Sequence, residues 1–492
     1  MRLKHTWLLA LFVIVLAGCG NSDGFGMPED EGQLIRGLDI TAVALYQSIK
    51  VPLMENGEEV TERPVEVVQG KNAMVRIFVA PRDDWEPRNV VARLDFESEL
   101  AETPSLEVEQ LVTLVSDEAA LDTTLNIDIP GEYLVGDLGL SVSLWEVESD
   151  LEEDIPGDEG NVLWPAEGMV KLNEQATGGP LRLVLIPVKY TPSEPDYLPD
   201  ISDAQLELYR NAFYVNYPVD EIEITVGEEL EWNQNIASTG VGWNQLLSKI
   251  QKLRTERGAD KKEYYYGIFA PAKSLMGFCG MGCVAGLSNL VPGPAAAWAR
   301  ASIGLGFTGG ESAGTMIHEV GHAHGRKHAP CKVTDADPKY PHAGGIIGVW
   351  GYDLNTKKLK AEKVKDFMSY CKPTWVSDYT YNALFTRVKA VNALAHVITP
   401  QWFQRNWLSL SIDLDGSISM GPELELESEP GGEERILELI GTNGQVIDVV
   451  TGYFSPYSHI PGGLVLFPEP SEEVVSVRLQ GFAPVVLAPF PY

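Results

Sequence analysis

His318-Glu319-Val320-Gly321-His322-Ala323-His324-Gly325-Arg326-Lys327-His328 is the stretch from which the rest of the chain is read. If it begins as a helix, His318 and His322 lie one turn apart and about 40° apart around the axis, so both imidazoles leave one face. Two nitrogens so placed can bind one tetrahedral Zn²⁺ at roughly 2.0–2.1 Å. Glu319 lies beside them, placed to reach a water on the metal rather than the metal itself. Gly325 tolerates φ > 0, so it can end the helix and turn the chain sharply. That turn lets His328 swing back as a third ligand. Three protein ligands leave a fourth position open, which a catalytic zinc site needs and a structural one does not. His324 falls outside the ligand spacing and is expected on the exposed side of the helix. The bland alternative is a surface helix with incidental histidines, and the joint spacing of His, Glu and Gly argues against it.

A second segment follows 40 residues after His328: Asp366-Phe367-Met368-Ser369-Tyr370. Together the two segments resemble the HExxHxxGxxH signature and Met-turn of the metzincin metallopeptidases. The resemblance covers roughly residues 180–395 and neither flanking region. It implies a zinc peptidase domain with a mixed sheet and an active-site helix, with His318, His322 and His328 as metal ligands. It further implies peptide-bond hydrolysis with Glu319 as general base, and Met368 as an apolar floor beneath the imidazoles. Tyr370 matches the Tyr that some branches place near the metal, as a switchable ligand or an oxyanion donor. Stacking in the substrate cleft is the other reading of that residue. Leu384, Val388, Val391 and Ala395 recur at helical spacing, in keeping with the clan's C-terminal helix. The segment Gly344 to Asp353, with Trp350 and Tyr352, is expected to line the cleft wall.

The N-terminus reads as an address. Arg2 and Lys4 precede an apolar run, Trp7 to Leu16, which is too short for a final membrane span and suits a secretory signal. The run ends in Leu16-Ala17-Gly18-Cys19, which resembles the bacterial lipoprotein cleavage box. Cleavage before Cys19 and lipidation of its thiol are therefore expected, with residues 20–33 as a flexible tether. An ordinary signal peptide that happens to hold a cysteine is the alternative. Gly20 is not the Asp that resembles an inner-membrane retention signal, so outer-membrane sorting is the expectation.

Four cysteines remain after Cys19, namely Cys279, Cys283, Cys331 and Cys371, an even number in an oxidising compartment. Sequence alone leaves three pairings open. The metzincin resemblance brings the segment after His328 over the Met-turn, and so implies Cys331–Cys371 and with it Cys279–Cys283. A metal site at Cys279 and Cys283 is the rival reading.

The chain of 492 residues carries 70 acidic against 37 basic residues, a net charge of −33. That balance argues against a nucleic-acid partner, which needs clustered Lys and Arg. An apolar fraction of 44% excludes a wholly disordered chain, and the length predicts several domains. The expected class is α+β multidomain. Residues 34–175 read as an N-terminal β-sandwich, with strands over Val65 to Val68, Ala73 to Val79 and Val90 to Phe96. Residues 180–398 alternate strands with helices, including a helix from Ala204 to Phe213 capped by Ser202. Residues 400–492 read as a second β-sandwich. Two acidic stretches, Asp150 to Glu159 and Asp413-Leu414-Asp415-Gly416, could hold structural calcium, but a solvated loop and a hairpin turn explain them better.

The sequence thus predicts a lipid-anchored zinc metalloendopeptidase of the bacterial envelope, acting on protein or glycoprotein. The alternative is a latent zinc-containing binding protein or glycan adhesin, supported by the β domains and 11 tryptophans. Substrate sequence and oligomeric state are not legible.

Overall fold

The computed structural model describes residues 32–100, 103–147, 160–394 and 405–487. The lipoprotein box with Cys19 and the acidic run from Asp150 to Glu159 lie outside the described residues. The described chain is α+β and multi-sheet, with five helices. Among the described residues no helix is long and apolar enough to cross a membrane.

The first part of the chain forms two antiparallel sheets. One is built on the long strand Leu38–Glu55, paired with Ala73–Pro81, which in turn pairs with Leu125–Ile129. The other places Arg88–Glu97 between Leu106–Val112 and Gly139–Glu146. Alternation along Leu38–Glu55 explains its place: Val43 and Leu45 enter the main core, while Ala44 and Tyr46 enter a smaller cluster with Met74 and Phe78. Both faces of the strand are therefore covered.

Two expectations fail here, for physical reasons. Val65 to Val68 is not a strand, and only Val68 makes a bridge, to Gln175. The buried side chain of Gln47 takes the place of a ladder, accepting from Val68 N–H at 2.7 Å and donating to Val68 C=O at 2.9 Å. The segment from Gly344 to Asp353 does not stay beside the cleft. Its strand Gly351–Asp353 adds to the free edge of Leu38–Glu55, with Tyr352 opposite Ser48. Burial of Tyr352 against Tyr46, Met74 and Phe78 compensates that long-range pairing.

The middle of the chain forms a mixed sheet. Ile222–Val226, Leu181–Tyr190, Glu263–Phe269 and Ala301–Leu305 run parallel, and Gly286–Ser288 lies antiparallel at the edge. Leu181–Tyr190 and Glu263–Phe269 are apolar nearly throughout, as befits strands covered on both faces. Helix Asp203–Asn216 starts where Ser202 accepts from Gln205 N–H at 3.4 Å. Helix Gly310–Ala323, which carries the histidines, packs on Ala301–Leu305.

The last part is one eight-stranded antiparallel sheet. Asp413 to Gly416 is a hairpin turn, with Asp413 N–H donating to Ser417 C=O at 2.9 Å. Along Gly463–Pro468, Val465 and Phe467 join the sheet's own cluster, whereas Leu464 and Leu466 join the main core with Tyr457 and Ile460. One face of this sheet is thereby packed on the rest of the molecule.

A buried lysine ties the N-terminal sheet to the middle part. Lys71 Nζ donates to the carbonyls of Tyr214 (2.7 Å) and Tyr217 (2.6 Å) and to Ser48 Oγ (3.1 Å), closing the C-terminal end of helix Asp203–Asn216. Burial pulls its pKa from 10.5 down to about 7, with Asp220 opposing. The unfolded chain thus holds a proton there that the folded chain has released between pH 7 and 10. Wild type should gain stability relative to Lys71→Met as pH rises through that window, by at most about 1.4 kcal/mol per pH unit. Urea denaturation of both proteins at pH 7 and pH 9 checks this, and a pH-independent difference contradicts it.

Candidate metal centre

The ends of the helix Gly310–Ala323 decide the geometry of the site. Its last turn closes as a Schellman motif: Gly325 N–H donates to His322 C=O at 2.7 Å and Arg326 N–H to Gly321 C=O at 3.0 Å. Gly325 has φ +80°, and a Cβ there would meet Arg387 and the carbonyl of Val291. The turn brings His328 back to the helix, as the spacing predicts. His318, His322 and His328 are all buried.

Each of the three rings is held by its Nδ1. His318 Nδ1–H donates to Phe367 C=O at 2.7 Å, His322 Nδ1–H to Arg326 C=O at 2.6 Å, and His328 Nδ1 is 3.3 Å from Asp335 Oδ1. With the protons on Nδ1, the Nε2 lone pairs face one another, at 3.1 Å between His318 and His322 and 3.1 Å between His322 and His328. Three lone pairs pointing at one spot repel unless a cation lies among them. Ligands on a tetrahedral ion with bonds of roughly 2.0–2.1 Å stand about 3.3 Å apart, so the donor set fits such an ion. Burial also depresses the histidine pKa values, to about 3 for His318 and about 4 for His328, so the rings are neutral and available as ligands.

Glu319, 1% exposed, faces the same space. Its Oε2 accepts from Ser458 Oγ at 3.3 Å, and its Oε1 lies 2.6 Å from His459 Nε2. Burial pushes the Glu319 carboxyl up to about 8 and the His459 imidazole down to about 4, so burial disfavours the charged form of both partners. Strand Gly286–Ser288 passes so close that a Cβ on Gly286 would collide with the Glu319 side chain. His318, Glu319, Tyr370, His459 and Gly286 line a cleft of about 760 Å³.

The segment from Asp366 to Tyr370 lies against the histidine helix. The buried Asp366 carboxylate accepts from Met368 N–H at 2.7 Å and Ser377 N–H at 3.0 Å, fixing the turn. Met368 Sδ packs on Gly321, where a Cβ would be 2.5 Å from the sulfur. Tyr370 is 46% exposed; its ring centroid lies 4.9 Å from that of His328, and its hydroxyl is 2.5 Å from His459 Nδ1.

Disulfides join Cys331 to Cys371 and Cys279 to Cys283. The first binds the segment after His328 to the segment after Met368, alongside Ala329 N–H to Met368 C=O at 3.0 Å and Tyr370 N–H to Cys331 C=O at 3.2 Å. Cys279 and Cys283 are therefore committed to sulfur and hold no metal.

Two features were not anticipated. His324 is fully buried, not exposed: its ring stacks on Tyr264 at 4.4 Å, and Nδ1–H donates to Val320 C=O at 2.7 Å. At the helix C-cap the side chain turns under the last turn rather than outward. His459 joins the other three histidines, and the four offer nitrogens all within 4.8 Å of one another. A lone histidine in a β region carries no spacing signal, so only the fold reveals it.

A buried set of imidazoles beside a carboxylic acid, open to a cleft, could hold a metal ion. Residues 297–380, which span the helix and the Met368 turn, match the model of the Peptidase M66 family, and that match supports a metallopeptidase. No curated protein matches the chain.

Replacing both Cys331 and Cys371 by Ser should lower stability by about 2–4 kcal/mol and weaken metal binding, because the His328 segment loses its clamp. Denaturant melts and metal titration of the double variant measure both effects; unchanged values contradict the clamp.

Proposed function

We propose that this chain is a zinc metalloendopeptidase of metzincin type that hydrolyses peptide bonds of extracellular proteins or glycoproteins. The observation that carries the reading is the convergence of three Nε2 atoms beside buried Glu319 in an open cleft. His318, His322 and His328 would hold the ion. Bound zinc supplies a Lewis acid that polarises a carbonyl and lowers the pKa of water toward 7. Its positive charge opposes the burial of Glu319 and favours the carboxylate. Glu319 then takes the proton of the attacking water and returns it to the leaving amine.

The strand Gly286–Ser288 offers a place for the substrate chain. On its outer side Ser288 N–H donates to Ser458 Oγ at 3.0 Å, and Ser288 C=O accepts from Ser458 N–H at 2.9 Å. Gly286, two residues earlier, turns its N–H and C=O to the same side, where the cleft lies. With Ser288 bonded to Ser458 and Val284 N–H donating to Ser238 C=O at 2.9 Å, Gly286 offers one N–H and one C=O between them to a substrate backbone.

Lipid anchoring at Cys19 and an outer-membrane location are part of this proposal and rest on the sequence from Leu16 to Cys19. Among the described residues Trp85, Trp145 and Trp350 are half-buried and the other tryptophans are buried, so no fully exposed aromatic platform favours the adhesin alternative.

The soluble chain from Gly20 onward should bind one zinc and cleave proteins in a mixed protein and glycoprotein panel, with loss of activity to chelators. Glu319→Gln should keep the zinc and lose at least about 10³-fold in rate. Activity of Glu319→Gln within tenfold of wild type would remove its role, and a chain without zinc would remove the reading.

A further inference from the structure

His459 comes from the C-terminal sheet, far from the zinc motif in sequence, and its surroundings fix it in place. Its segment is joined to the end of the cleft strand: Leu290 N–H donates to Pro456 C=O at 3.1 Å, Asn289 bridges Tyr457, and Ser458 bonds Ser288 through both backbone and side chain. Tyr457 and Ile460, on either side, are buried in the main core. This is no detachable plug, and the cleft beside it stays open.

The imidazole of His459 stands over the side that the three ligand rings leave free, with centroids 5.0, 5.1 and 4.9 Å from those of His318, His322 and His328. The Tyr370 ring stacks on it at 5.6 Å, and the phenol oxygen lies 2.5 Å from Nδ1, within hydrogen-bond reach. When the phenol is the donor to Nδ1, the neutral ring carries its proton on Nε2. That nitrogen lies 2.6 Å from Glu319 Oε1 yet has no aligned hydrogen-bond partner. In that tautomer Nε2 cannot ligate a cation and faces the reaction space as a donor.

We propose that His459 is a catalytic residue supplied by the C-terminal domain, whose Nε2–H steers the Glu319 carboxylate and donates to the substrate carbonyl oxygen as it gains negative charge. This rests on the peptidase reading above. Tyr370 fixes the His459 tautomer and Ser458 holds the other oxygen of Glu319, so both are positioning residues. The proton of the attacking water passes to Glu319, and His459 neither gains nor loses one. The last domain is thus part of the active site rather than an appended module.

The test compares His459→Ala, His459→Gln and Tyr370→Phe with wild type, by zinc affinity in competition with a chelator and by kcat and KM on a cleaved protein. One zinc per chain is expected in all, with affinity within about threefold of wild type. His459→Ala should lose about 100-fold in kcat with KM nearly unchanged, as for removal of an oxyanion donor. His459→Gln, which keeps an N–H donor, should recover at least tenfold of that loss. Tyr370→Phe should lose about tenfold, and as a rim substitution it keeps the test decisive if His459→Ala fails to fold. A drop in zinc affinity beyond tenfold would make His459 a ligand and overturn the proposal. So would a rise in activity, the mark of a plug, or equal loss in Ala and Gln. A wild type that binds zinc but cleaves nothing sinks the peptidase reading and this role together, while zinc affinity still reports whether His459 is a ligand.

Discussion

Three buried Nε2 lone pairs aimed at one point constrain everything else in this molecule. Without a cation the arrangement is repulsive, and without the Nδ1 hydrogen bonds it would relax by rotation of the rings. Phe367 and Arg326 lend backbone carbonyls and Asp335 a carboxylate to prevent that. The hydrogen bonds choose the tautomer as well as the orientation. Two of those acceptors lie in the segments that the Schellman turn and the Met368 turn bring to the helix.

The supporting structure follows from this requirement. The third histidine lies on an irregular segment, which gains rigidity from the Cys331–Cys371 disulfide and from backbone bonds to residues 368 and 370. Asp366, buried and loaded with donors, holds the turn beneath the helix. Gly321 and Gly286 are small for a reason: one admits the Met368 sulfur, the other the Glu319 side chain. The two β regions are more than flanks. The N-terminal sheet captures Gly351–Asp353 from between the two halves of the site, and the C-terminal sheet delivers Ser458 and His459.

What could be read from the sequence was what local rules govern. The i, i+4 histidines, the glycine after the helix and the Ser202 cap each act within a few residues, and the structure places them so. The central strands were readable because sheets covered on both faces need continuous apolar runs. What escaped depends on long-range pairing. Val65 to Val68 looks like a strand, but a glutamine side chain from another element takes its backbone bonds. Gly351–Asp353 joins a sheet begun some 300 residues earlier because an edge was free. His324 looked exposed because helical spacing says nothing of what packs at the C-cap. His459 had no neighbour in sequence to announce it.

In the proposed site one metal ion sits among His318, His322 and His328, with His459 close by but unbonded. Anomalous diffraction at the zinc edge from crystals of the zinc-loaded chain tests it most directly. A single peak is expected at roughly 2.0–2.1 Å from the three Nε2 atoms, beyond bonding distance of His459. No peak at that point, or one bonded by all four imidazoles, would contradict it.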